Sequence, residues 1–360
     1  MAETGCKPPE FASGSLSMAL SGRKCFSWQM GSSSDFFEIF AAEPDATTGV
    51  SFARYMELAM YHPLAGYYTS SRKRVGRDDN ADFFTSTTFS PVFGELVAAA
   101  AAKLLGPAKP ADFAFVEIGA EPGGGILRGQ KHPFASYQTI SLGQPFVLPP
   151  AAVVFSNELF DAQPFHRVVW RGGPGGHWRE LGVALAGRHL REVELPELSP
   201  ELAAHRDRLP KTAEENYHID LPLRTVPMLE RLVGPKWTGL FLAFDYGKFW
   251  TELAEHLPAG TGRTYHKQKM GGDLLARPGK QDLTCHICWD WLEDGLARAG
   301  FGEARVESQE SFFMSHAQAT LAAITTAEAG SFSPRKRMLM QLMHPANMGQ
   351  KFQALFALRK

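Results

Sequence analysis

Short apolar runs that end abruptly in Gly-rich or acidic clusters dominate the pattern of this chain. Phe113-Ala114-Phe115-Val116-Glu117-Ile118-Gly119 is β-branched and aromatic, then breaks into Ala120-Glu121-Pro122-Gly123-Gly124-Gly125 before an apolar restart at Ile126-Leu127. Val153-Val154-Phe155 ends in Ser156-Asn157-Glu158-Leu159-Phe160-Asp161, and Gly239-Leu240-Phe241-Leu242-Ala243-Phe244 ends in Asp245-Tyr246-Gly247. Runs of this length without alternation predict strands buried on both faces, as in a parallel sheet. The pattern places strands near 113–119, 136–142, 151–156 and 239–245, with further strands toward the C-terminus. Helical spacing marks Phe36–Phe40 and Phe52–Tyr61. An Ala-rich helix is predicted from about Ser90 to Leu105, with Ser90 as N-cap, Pro91 at N1 and Gly106 beyond its end. Pro222 to Val233 reads as an amphipathic helix. Between 165 and 193, Val168-Val169-Trp170 and Trp178–Val183 are separated by glycines, which predicts antiparallel hairpins inserted into the α/β core.

Residues 1–35 are Ser- and Gly-rich without a period, and are expected to be a disordered leader with Met30 as an alternative start. The expected organisation is that leader, a helical cap region over 36–110, and an α/β core over 111–360 with an insertion at about 165–235.

Acids at strand tips stand where ligands bind in open α/β sheets. Glu158 and Asp161, three apart, would share a face if a helical turn began there, with Asn157 as its cap. Asp245 is a third strand-tip acid, which could equally be a turn residue. Glycines after Glu117 allow close backbone approach to a ligand and positive φ. Cys285-His286-Ile287-Cys288 has no second pair of the sort a zinc site needs, since Cys6 and Cys25 lie in the leader; a strand edge with buried thiols is expected, and no metal.

Together these motifs resemble the MidA-like family of adenosylmethionine-dependent methyltransferases, which includes a mitochondrial protein arginine methyltransferase. The resemblance runs from about Phe36 to the C-terminus. It rests on Ser51–Pro63 with Gly66-Tyr67-Tyr68, Asp82–Ser86, Ser90–Glu95, the Ser156–Ala162 segment, Asp245–Gly247, Arg263 with Tyr265, Pro278-Gly279 with Gln281–His286, and Met348-Gly349 with Phe352. It implies a Rossmann-like class I methyltransferase sheet, with S-adenosyl-L-methionine as cofactor and a protein side chain, arginine favoured, as acceptor. Carried onto this sequence, Glu117, Gly119, Gly123, Gly124, Asn157, Thr85 and Ser86 would hold the cofactor. Tyr67, Asp245 and His286 would line the acceptor side, and Glu158 and Asp161 would orient a guanidinium through charge-assisted hydrogen bonds.

The chain departs from the family at Thr85-Ser86-Thr87-Thr88, which lacks the usual Pro and acid, at the basic run His266-Lys267-Gln268-Lys269, and at two places that bear most on the cofactor. Its Gly loop is longer than the usual Gly-Pro-Gly-x-Gly turn. No Asp or Glu occurs between Glu121 and Glu158, where nucleotide-binding sheets usually put an acid on the ribose; Gln138 or Ser141 could substitute. A methyltransferase fold that binds or assembles without catalysis is therefore the alternative expectation.

Composition narrows the picture further. The chain has 360 residues, 44% of them hydrophobic, with a net charge of -1. That balance argues against a dedicated nucleic-acid binder, and no apolar run reaches membrane-spanning length. Four cysteines suit a reducing compartment, expected to be cytoplasmic. The partner expected is a protein substrate, and a homodimer is compatible with the sequence.

Overall fold

The computed structural model describes residues 35–69, 91–120, 124–267, 269–327, 329–330 and 333–360. The leader, Thr85, Ser86, Ser90 and Gly123 lie outside them. Six strands form the main sheet and are numbered here in chain order: β1 (Ala114–Ile118), β2 (Ser136–Ile140), β3 (Ala151–Asn157), β4 (Thr238–Asp245), β5 (Arg305–Ser308) and β6 (Gln353–Arg359). Their spatial order is β5-β6-β4-β3-β1-β2. Pairs β1·β2, β1·β3 and β3·β4 are parallel, whereas β6 runs antiparallel to both β4 and β5. The four strand positions expected from sequence are all present.

Alternate side chains of each strand enter opposite cores, the period-2 rule of extended chain. Phe115, Val153, Phe155, Leu240, Leu242, Phe244, Ala354 and Phe356 face one core, against helices Val92–Leu104, Gln309–His316 and Pro334–Met343. Val116, Val154, Phe241, Ala243 and Leu355 face the other, against helices Thr225–Val233 and Trp289–Arg298. Both faces are covered, which is why these strands read as unbroken apolar runs.

The Ala-rich helix starts at Val92, with Pro91 at the N-cap position rather than at N1, and Gly106 follows its end at φ +64°. This helix packs on the main sheet, whereas Phe36–Ala41 and Phe52–Tyr61 pack with Phe165 and Val183 of the inserted region. The expected cap region thus divides between two cores.

The expected hairpins are present. Strand 166–171 pairs antiparallel with 177–186, which pairs with 189–194, and 218–221 closes the other side. A smaller three-stranded sheet joins 263–266 to both 269–271 and 282–284. No described helix is long and apolar enough to cross a membrane.

Candidate functional site at the carboxyl ends of the parallel strands

The parallel strands end together, and their tips carry the acids singled out in the sequence. At the tip of β1, Glu117 is buried and braces the Gly turn. Its Oε2 accepts the backbone N–H of Ile126 at 2.8 Å and the Tyr137 hydroxyl at 2.5 Å. Burial pushes this carboxyl above its usual range, against the pull of those two donors. Gly119 follows at φ +80°, and a Cβ there would stand 3.1 Å from Leu159. Gly125, at φ +119°, packs so tightly that a Cβ would lie 1.9 Å from the Tyr137 hydroxyl. The turn needs glycine at these two places for conformation and for space.

The helical turn expected at 157–161 does not form. β3 continues through Asn157, and Glu158 then takes φ +51°, a left-handed conformation that costs a non-glycine residue on the order of 1 kcal/mol. A ladder-like bond from the Glu158 N–H to the Phe244 carbonyl, 2.9 Å, holds that geometry. Asn157 caps no helix; its Nδ2 donates to the Glu158 carboxylate at 2.9 Å. Glu158 and Asp161 are therefore linked by a sharp turn, not set on a helical face, and both act on the Tyr246 and Tyr265 hydroxyls. Strain of this kind at a strand tip is characteristic of binding and catalytic sites.

Asp245 explains how the turn is held. It is fully buried, and its Oδ2 accepts the N–H of Phe160 at 3.0 Å and of Asp161 at 3.4 Å, while Oδ1 accepts the N–H of Tyr246 at 2.9 Å. Burial and then the charge of Asp161 push its carboxyl well above the carboxylate range. Its contacts are those of the turn-residue reading.

Asp161 is 2% exposed. Burial raises its carboxyl to about 6, against the opposing hydrogen bond from Tyr246. Its Oδ1 has no hydrogen-bond partner among the described residues; nor have Ser156 Oγ, Asn157 Oδ1, Thr284 Oγ1 or His286 Nδ1. Buried polar atoms are normally satisfied, so these are candidate groups for holding a ligand.

Three further segments surround the acids. The Tyr61 hydroxyl donates to the Ala162 carbonyl at 2.8 Å, and its ring stacks on Tyr68 with centroids 5.5 Å apart. The Tyr68 hydroxyl donates to Asp282 at 3.1 Å. Tyr265 pairs in register with Asp282, and its hydroxyl is raised by burial and then by Asp161, Glu158 and Asp282. Tyr67 is fully buried in the core beside Phe52 and Tyr55, and its neighbour Tyr68 is half-buried. The sequence reading also missed Tyr61, Tyr246, Tyr265 and Asp282 as site residues. The spacing of Asp245 to Tyr246 was a signal for one of them, but the others depend on tertiary contacts.

His286 packs against the Tyr246 ring, centroids 5.9 Å apart. Burial lowers it to about 4, with Lys248 and Arg263 adding to the effect, so it is a neutral imidazole at pH 7. Cys285 and Cys288 are buried free thiols, and burial raises both. Among the described residues no group could hold a metal.

At the tip of β2, Ile140 is followed by Ser141, whose hydroxyl donates to the Ala120 carbonyl at 2.8 Å and whose N–H donates to Gln144 at 2.7 Å. Neutral groups stand where nucleotide-binding sheets commonly place an acid.

Residues 137–305 match the profile of a family described as "putative S-adenosyl-L-methionine-dependent methyltransferase". Over this stretch, just under half of its length, the chain is similar to that methyltransferase family. Among solved structures the fold is similar to a COG1565 superfamily member from Burkholderia thailandensis bound to S-adenosyl-homocysteine. The two are 24% identical, with 90% of this chain and 92% of the other covered and a TM-score of 0.76. A native structure of a COG1565 superfamily protein from the same organism gives 23% identity, the same coverage and a TM-score of 0.70. No curated protein matches the chain. The methyltransferase profile spans β2 to the start of β5 and so includes Glu158, Asp161, Asp245 and Asp282, while Glu117 and the Gly turn fall before it.

Proposed function

We propose that the chain is an S-adenosyl-L-methionine-dependent methyltransferase acting on a cationic protein side chain, with arginine the favoured acceptor. The observation that carries the acceptor class is the orphaned Oδ1 of buried Asp161, which together with the strained Glu158 acts on the Tyr246 and Tyr265 hydroxyls. A guanidinium presents a planar fork of donors that satisfies two carboxylates at once, and tyrosine faces attract a cation.

The residues present fit the cofactor. Gly119 leaves the β1 tip without a side chain, Glu117 fixes the turn, and the orphaned Asn157 Oδ1 and Ser156 Oγ offer acceptors at the β3 tip. Ser141 and Gln144 would meet the ribose hydroxyls. When bound, the cofactor supplies an electrophilic methyl group on a sulfonium. Glu158 and Asp161 then orient the acceptor nitrogen in line with it, which is most of what such a displacement needs. The methyl would leave the cofactor sulfur, giving S-adenosyl-homocysteine, as it joins the acceptor nitrogen, and Asp161, raised to about 6, is suited to receive the proton that nitrogen gives up.

The neutral β2 tip favours a second reading, in which the fold binds its partner without catalysis. Calorimetric titration with S-adenosyl-L-methionine and S-adenosyl-homocysteine separates the two. Saturable binding with a Kd below about 100 μM, an ordinary enzyme range, supports the first reading, and a flat titration with both compounds supports the second.

A further inference from the structure

Two strands beside the acid turn carry polar side chains that the proposed transfer leaves unused. Strand 263–266 pairs antiparallel with 282–284, with Arg263 opposite Thr284 and Tyr265 opposite Asp282. Directly opposed residues share a face of the sheet, as do residues two apart. Arg263, Thr284, Tyr265 and Asp282 therefore stand on one face. That face belongs to the site: Asp282 accepts the Tyr68 hydroxyl at 3.1 Å, and Asp161 and Glu158 act on the Tyr265 hydroxyl. Cys285 turns the other way, into the core with Phe52 and Phe165. His286, next in the alternation, packs its ring against Tyr246.

Three groups here lack the partners that burial normally demands. Thr284 is 2% exposed, yet its Oγ1 has no hydrogen-bond partner among the described residues, and the same holds for Nδ1 of His286. Half-buried Arg263 donates from Nη1 to the adjoining Gly262 carbonyl at 2.7 Å and forms no ion pair among the described residues. The other charged groups that act on His286 are already paired. Lys248 bonds Glu252 at 2.6 Å, and Asp220 accepts the N–H groups of Thr261 and Gly262, both at 2.7 Å. A guanidinium, a hydroxyl and an imidazole nitrogen remain, and all three can donate to one oxyanion. The backbone fixes how far such an anion stands from the acids. The Cys285 N–H donates to the Asp161 carbonyl at 3.1 Å. At ordinary sheet spacings this puts Thr284 and His286 about 6 Å from Asp161. An extended arginine measures about 7 Å from its guanidinium carbon to its own α-carboxylate.

We propose that Arg263, Thr284 and His286 form an anion subsite for the α-carboxylate of the acceptor, which makes the acceptor a chain-terminal arginine. The guanidinium end of this acceptor rests on the methyltransferase reading; the carboxylate end does not. An internal arginine brings only a neutral carbonyl to the subsite, without the charge-assisted bond that a carboxylate makes with Arg263. The competing occupant is the cofactor's own carboxylate. It belongs to the end that would lie over the Gly turn at β1, two strands from β4. That is about 10 Å from the β4 tip, where Tyr246 and His286 meet.

The test uses the full chain saturated with S-adenosyl-homocysteine and fluorescent peptides of one sequence. They end in arginine as the free acid, end in arginine as the amide, or carry that arginine internally. By anisotropy the free acid should bind about tenfold more tightly than the other two, as one charge-assisted contact allows. In Arg263→Gln the free acid should fall to the level of the amide, with amide binding and calorimetric affinity for S-adenosyl-homocysteine unchanged. Thr284→Val removes the hydroxyl at nearly constant shape and should narrow the gap to about threefold. Equal binding of acid and amide by the wild type, binding of neither, or a gap that survives in both variants would each overturn the proposal. So would an about tenfold loss of S-adenosyl-homocysteine affinity in Arg263→Gln with methylthioadenosine binding intact, since the subsite would then hold the cofactor's carboxylate. A flat calorimetric titration sinks the methyltransferase reading alone, and the acid–amide comparison, run without the nucleoside, still decides the subsite.

Discussion

The carboxylate of Asp245 and the backbone N–H of Phe160, 85 positions apart in sequence, are joined by a buried hydrogen bond of 3.0 Å. Through it, the tip of β4 dictates the path of the chain leaving β3, and so places Asp161. Asp245→Ala strips partners from the N–H groups of Phe160, Asp161 and Tyr246. We expect a loss of about 2–4 kcal/mol in denaturant unfolding together with loss of activity. A loss under about 0.5 kcal/mol would show that the turn holds itself.

Asp161→Asn separates function from stability. The folded-state carboxyl lies at about 6 against an ordinary 3.8. A raised acid favours folding when protonated, and this advantage disappears as pH rises through about 6. At pH 7 the buried charge therefore costs about 2–3 kcal/mol. The Asn variant should match the wild type in Tm near pH 4 and exceed it by a few degrees near pH 8, while methylation is abolished. An unchanged Tm difference across that range would contradict a buried, titrating Asp161.

Glu158 carries backbone strain as well as charge. Glu158→Gly should relieve the left-handed φ and raise stability by up to about 1 kcal/mol, with methylation lost. Glu158→Gln should keep fold and cofactor affinity but lower kcat/KM by about 100-fold, as expected for one charge-assisted contact in a dry site. Full activity of the Gln variant would leave the carboxylate without a chemical role.

His166 offers a pH test away from the site. It is 2% exposed between Glu180, 2.9 Å from Nδ1, and Glu201, 3.3 Å from Nε2. Burial alone would lower it, but the two carboxylates outweigh that and raise it. Its contribution is thus complete below about 6.5 and is lost as pH climbs through the raised value. Wild type should lose stability across that window, and His166→Gln should flatten the profile. Identical profiles would mean that the histidine stays neutral.

Much of the sheet was legible in the sequence because both its faces are covered: a strand such as Val153-Val154-Phe155 has no solvent side to interrupt its apolar run. Helices Phe36–Ala41 and Phe52–Tyr61 followed from spacing alone. The turn at Glu158 was misread because Asn followed by Glu is also an ordinary helix start; what decides against a helix is Asp245, too distant to weigh locally. Tyr61 was illegible for a related reason, and Tyr68 and Asp282 stood out only through the family resemblance. Nothing in their neighbourhoods announces that three separate segments converge, and an aromatic beside a helix end reads first as core.

The antiparallel β6 lies between β4 and β5, and pairs with β4 through all seven residues from Gln353 to Arg359. Among the described residues β5 has no other partner in the sheet. During synthesis, therefore, the strands that carry Glu117, Glu158 and Asp245 leave the ribosome well before the strand that seals their edge. Until residues 353–359 emerge, β4 exposes a full row of unpaired amides and carbonyls, the template on which chains aggregate. Deleting residues 353–359 would leave every proposed catalytic side chain in place, and is still expected to yield insoluble protein.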